Sequence, residues 1–98
     1  MNGVVGKSFA FTGALGFPRR ELQNELESRG GIYHPRVTRT TDYLVIGRVL
    51  PHQGTNGKTK KMMTAQRYQE LGYHVRTIEP AEFMLMLIDT MYTCSVAV

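Results

Sequence analysis

The sequence predicts an α/β fold, with a mostly parallel sheet covered by helices on both faces. Three observations carry this. Short apolar runs alternate with longer segments of helical periodicity. Glycine or proline stands at almost every junction between them. The run Tyr43-Leu44-Val45-Ile46 is continuously apolar, as expected for a strand buried on both sides. With 98 residues the chain supports one domain, since two separate cores would each be too small to fold unaided.

The elements follow in order. Residues 7–12 are aromatic-rich and form a first strand, ended by Gly13. Residues 13–17 make a loop. Pro18 suits the first turn of a helix, where its missing N–H is not needed. That helix runs to about Arg29, with Leu22 and Leu26 on one face and Glu21 and Glu25 on another, and Gly30 stops it. Residues 31–34 form a weak second strand and residues 43–46 the third. A long loop, residues 48–57, leads to a second helix over about 58–71, closed by Gly72. Residues 74–78 alternate as an edge strand does. Glu79-Pro80 opens a third, largely apolar helix that reaches Ile88. Residues 1–5 are read as an N-terminal extension, 6–88 as the domain, and 89–98 as a tail, either a short strand or a frayed end. The order is β-α-β-β-α-β-α.

Composition narrows the function. Hydrophobic residues make up 42% and charged residues 20%, which fits a globular chain. The single cysteine, Cys94, cannot form an internal disulfide or a cysteine-rich metal site. Neither a bilayer-spanning stretch nor a signal-peptide core is present, so the expected location is cytoplasmic, or nuclear in a eukaryote. The net charge is +4, unevenly spread. Residues 29–67 hold Arg29, Arg36, Arg39, Arg48, Lys58, Lys60, Lys61 and Arg67 against one acid, Asp42. Such a one-signed stretch suits an anionic partner or a solvated basic surface.

Two segments are candidates for chemistry. In an open α/β sheet, ligands bind beyond the carboxyl ends of the strands. Thr12 stands at such an end, and Gly13 lets a backbone N–H approach a ligand closely. The alternative is a plain strand end and turn. The second segment is Gly57-Lys58-Thr59-Lys60-Lys61 at a helix start. A helix N-terminus already carries partial positive charge, so three lysines there are costly unless an anion is bound; otherwise they form a solvated cluster. Gly57-Lys58-Thr59 resembles the end of a nucleotide-binding P-loop, but His52 stands where that motif needs glycine. A nucleotide-using enzyme is therefore the weakest reading. His34, His52 and His74 lack metal-ligand spacing, and no catalytic residues, cofactor or metal are expected.

Several segments together resemble a BRCT domain. They are Phe11-Thr12-Gly13, Arg20, Gly30-Gly31, Thr41-Asp42-Tyr43-Leu44-Val45, the lysine-rich helix start, Gly72, and residues 79–83. The resemblance covers about residues 6–88. It implies a three-layer fold: a four-stranded parallel sheet of order 2-1-3-4, helices one and three on one face and helix two on the other. It also implies a phosphate pocket. The Ser/Thr, glycine and lysine of that pocket carry over to Thr12, Gly13 and Lys61, with Lys58 and Lys60 as alternatives, and Arg20 resembles a supporting arginine. Phe83 stands where many members carry tryptophan. The implied role is a non-enzymatic module for 5′-phosphorylated DNA ends or nicks, within a larger ligase or nuclease chain. The alternative is a protein–protein module, either phosphopeptide-dependent or a docking surface.

Overall fold

The computed structural model describes residues 3–48 and 58–97. Seven elements occur in the expected order: β1 Ser8–Thr12, α1 Arg19–Ser28, β2 Ile32–Tyr33, β3 Tyr43–Ile46, α2 Lys60–Glu70, β4 Arg76–Ile78 and α3 Pro80–Ala97. The strands form one parallel sheet in the order β2-β1-β3-β4. β1 and β3 are its centre, in register from Phe9 opposite Tyr43 to Thr12 opposite Ile46.

The parity of β1 decides which side chain meets which layer. Phe9 and Phe11 point to the layer of α1 and α3, where they pack with Leu22, Leu26, Val45, Phe83 and Leu87. Ala10 points the other way, into a smaller core with Leu44, Ala65 and Val75 under α2. Ala10 and Ala65 are both fully buried, and two small residues let α2 lie close on the sheet. Thr12 shares the parity of Ala10, so its hydroxyl faces α2.

Phe83 fills the tryptophan position with an aromatic cluster. Its ring centroid lies 5.3 Å from Phe9 and 5.2 Å from Phe11, and Phe9 stacks on Tyr43 at 5.0 Å. The Thr41-Asp42 pair of the β3 entry is a clamp. The Asp42 carboxylate accepts from the Ser8 N–H at 2.8 Å, and the Asp42 N–H donates to the Ser8 hydroxyl at 2.9 Å. Thr41 is buried, accepts from the Thr38 N–H at 2.8 Å, and shares a hydrogen bond with His34 Nδ1 at 2.8 Å.

Some expectations shift. Pro18 is the N-cap of α1 rather than its first turn. α2 begins at Lys60 with Thr59 as N-cap, so Lys58 lies outside the helix. Val4, placed in an extension by the sequence, is fully buried in the main core. Residues 89–97 continue α3 instead of forming a strand or frayed end. Neither glycine nor proline stands between Ile88 and Ala97 to stop the helix. The expectations for residues 49–57 and for the Cys94 side chain lie outside the described residues. No helix among the described residues is long and apolar enough to cross a membrane.

The charges separate by layer. α1 carries Glu21, Glu25 and Glu27 against Arg19 and Arg20, and α3 carries Glu82 and Asp89, so that layer is net negative, whereas α2 carries Lys60, Lys61 and Arg67 against Glu70 and is net positive. Between α1 and α3 runs an apolar groove of about 450 Å³ floored by Leu22, Met84 and Leu87.

Candidate functional site

At the carboxyl end of β1 the chain turns sharply and three segments meet. Gly13 has φ of 78°, and a Cβ there would lie 3.0 Å from the backbone of Gly47 and Arg48. Ala14 and Arg48 exchange two backbone hydrogen bonds, at 2.7 and 2.8 Å, and tie the turn to the chain leaving β3. Gly47 is required by contact rather than by dihedral angle. A Cβ on it would run into the Ala14 carbonyl, a backbone group that cannot swing aside. Gly47→Ala is expected to destabilise the fold by roughly 1–3 kcal/mol, as over-packing does. Urea unfolding, with hydrogen exchange at the Ala14 amide, checks this; a wild-type midpoint would refute the contact argument.

The start of α2 enters the same corner. Thr59 caps the helix, its hydroxyl accepting the Met62 N–H at 3.3 Å. Thr12 donates its hydroxyl to that same oxygen at 2.7 Å. Thr59 thus accepts twice, and its own proton is left to donate outward. The Lys61 ammonium donates to the Phe11 carbonyl at 2.7 Å. That carbonyl is open for a simple reason. Lys7 and Phe9 give their carbonyls to Ile32 and His34 on the β2 side, and strand alternation sends the Phe11 carbonyl the same way. β2 spans only Ile32–Tyr33 and is too short to reach it.

Arg19 completes the corner. One guanidinium nitrogen donates to the Gly13 carbonyl at 3.1 Å. The Lys61 pKa is lowered from the ordinary lysine value, first by burial of the ammonium and second by the positive charge of Arg19. The Gly13 N–H has no acceptor among the described residues. A turn amide, the Thr59 hydroxyl that Thr12 orients, a partly desolvated ammonium, a guanidinium and a helix N-terminus therefore gather where no carboxylate pairs with them among the described residues. Such a set suits a multiply charged oxyanion.

Of the residues expected from sequence, Thr12, Gly13 and Lys61 come together here. Lys58 does not join them: it is exposed and donates to Gln66 at 3.1 Å. Lys60 is exposed in the first turn of α2. Arg20 is exposed on α1, with no hydrogen bond or ion pair among the described residues, and its neighbour Arg19 is the arginine that reaches the turn. Thr59 and Arg19 escaped the sequence reading. A threonine before a helical run is a capping signal that identifies Thr59. Only the phase of α1, set by Pro18 as cap, decides between the two arginines. No group of three or more metal-ligating side chains occurs among the described residues.

Comparison with known proteins places this geometry in a family. The family model for the BRCA1 C Terminus (BRCT) domain matches residues 5–70. The chain belongs to the BRCT family. The match spans β1 through α2, so it includes every residue of the corner. Relatives of this BRCT domain are named DNA ligase. That of Aquifex aeolicus (strain VF5) is 39% identical over 87 residues, covering 88% of this chain and 10% of the ligase. That of Myxococcus xanthus (strain DK1622) is 38% identical over 84 residues, 85% of this chain and 11% of the ligase. That of Thermoanaerobacter pseudethanolicus is 36% identical over 83 residues, again 11% of the ligase. The BRCT domain thus spans about a tenth of the length of the curated relatives it matches.

Proposed function

We propose that this BRCT domain is a non-catalytic module of DNA replication or repair that binds the 5′-phosphate of a DNA end or nick. The observation that carries the reading is the convergence of the Gly13 N–H, the Thr12–Thr59 hydroxyl pair and the Lys61 ammonium on one corner. A terminal phosphate carries more charge than an internal phosphodiester and exposes more oxygens, so a cluster of donors discriminates in its favour. The names of the relatives supply the setting, since a ligase acts on DNA. Phosphate contacts position a protein without reading bases, so little sequence preference is expected.

The test is an NMR titration with one short duplex, 5′-phosphorylated or not, at moderate salt. Larger amide shifts at Gly13, Thr59 and Lys61 with the phosphorylated duplex support the reading. Equal shifts with both duplexes would overturn it in favour of general electrostatic binding. A phosphoserine peptide offers the same anion, and it forms the third arm. Tighter binding of that peptide than of the duplex would move the assignment to a phosphorylated protein.

A further inference from the structure

A second cationic site lies at the far end of α2. Arg39, from the loop before β3, sits over the Tyr73 ring at 5.9 Å from its centroid. Tyr73 in turn meets Tyr68 edge-on at 5.7 Å. With Thr64, Arg67 and Leu71 these residues line a concave pocket of about 350 Å³. Neither Arg39 nor Arg67 pairs with a carboxylate among the described residues. Two uncompensated guanidinium groups, one held in place by an aromatic wall, are an anion site.

The pocket is not isolated from the corner at the start of α2. Lys60, Thr64, Arg67 and Leu71 follow one another at helical spacing and make one stripe along the exposed face of α2. Lys60 and Arg67 are seven residues apart, about 10 Å at 1.5 Å per residue. Adjacent phosphates of one B-form strand rise about 3.4 Å along the duplex axis and lie farther apart along the strand itself, so the span covers more than one phosphate step.

We propose that the Arg39–Arg67 pocket holds an internal phosphodiester of the strand whose terminal phosphate sits at the Thr12–Lys61 corner. The strand then tracks the Lys60–Thr64–Arg67 stripe, and the domain reads both an end and the duplex behind it. The path rests on the proposed end-binding function, whereas the pocket's affinity for DNA does not.

The test measures affinity for a short duplex, with and without a 5′-phosphate, between about 50 and 200 mM salt. Wild type is compared with the double variants R39Q/R67Q and R39K/R67K. Loss of this one phosphate contact is expected to reduce the slope of log affinity against log salt by about 0.9. R39K/R67K keeps the charge and a slope near that of wild type. Both arginines are exposed, so thermal midpoints should stay unchanged. The preference of R39Q/R67Q for the phosphorylated duplex should persist. A wild-type slope in R39Q/R67Q overturns the proposal. A reduced slope in R39Q/R67Q, together with no 5′-phosphate preference in wild type, would leave the pocket standing and defeat the end-binding reading.

Discussion

Lys61→Ala is expected to weaken binding of a 5′-phosphorylated duplex by about 1.5–3 kcal/mol, roughly 10- to 150-fold, the range for a hydrogen bond to a charged group. Thr12→Val should fall in the same range, because it removes the proton that sets the direction of the Thr12–Thr59 bond. The unphosphorylated duplex should lose far less in either variant. Binding by fluorescence anisotropy checks both, and unchanged affinity in both would dismiss the corner as the phosphate site. The free protein should behave differently. The Lys61 ammonium is partly desolvated and faces Arg19, and its pKa is lowered for those reasons. At neutral pH the unfolded chain holds that proton more readily than the fold does, so the charge disfavours folding. This disadvantage shrinks as pH rises through the lowered value toward 10.5, where the unfolded lysine also loses its proton. Phosphate-dependent affinity runs the opposite way, falling as pH climbs through the lowered Lys61 pKa. A lysine that disfavours the fold and donates into a ligand corner is best understood through the ligand.

Phe83→Ala should cost about 3–5 kcal/mol, the range for emptying a buried aromatic site. Phe83 is fully buried and touches the rings of both Phe9 and Phe11, the two residues that β1 sends into the main core. The cavity would open between α3 and the sheet centre, where backbone pairing on both sides prevents collapse. A domain of this size has roughly 5–15 kcal/mol in all, so a large part of the stability would go. Urea unfolding measures the loss. A cost below about 1 kcal/mol would mean that α3 repacks and that the aromatic cluster is not the keystone of this layer.

Much of this architecture is written plainly in the chain. Glycine and proline punctuation located the seven elements, and the unbroken Tyr43–Ile46 run marked a central strand. Element ends were less legible. Whether a helix starts at Lys58 or Lys60 depends on which residue caps it, and Thr59 wins because its hydroxyl can take the Met62 N–H. The fate of residues 89–97 was hidden because a stretch that mixes Thr90, Thr93 and Val96 with Met91, Ser95 and Ala97 suits helix and strand alike. The corner was half visible. Thr12, Gly13 and Lys61 stand out by type and position. The role of the Phe11 carbonyl depends on β2 being two residues long, which no local pattern reveals. Arg19 and Arg20 differ only by helical phase, about 100° apart on α1.

The opposite net charges of the α1–α3 layer and of α2 also bear on kinetics. A molecule with opposite charge on opposite faces experiences a torque near a polyanion as well as an attraction. With DNA, the partner proposed above, that torque would turn α2 toward the polyanion within about one Debye length, near 10 Å at 0.1 M salt. Fewer encounters are wasted in the wrong orientation, and the association rate gains accordingly. On the proposed DNA partner the same torque would swing the α1–α3 groove outward and leave its apolar side facing solvent.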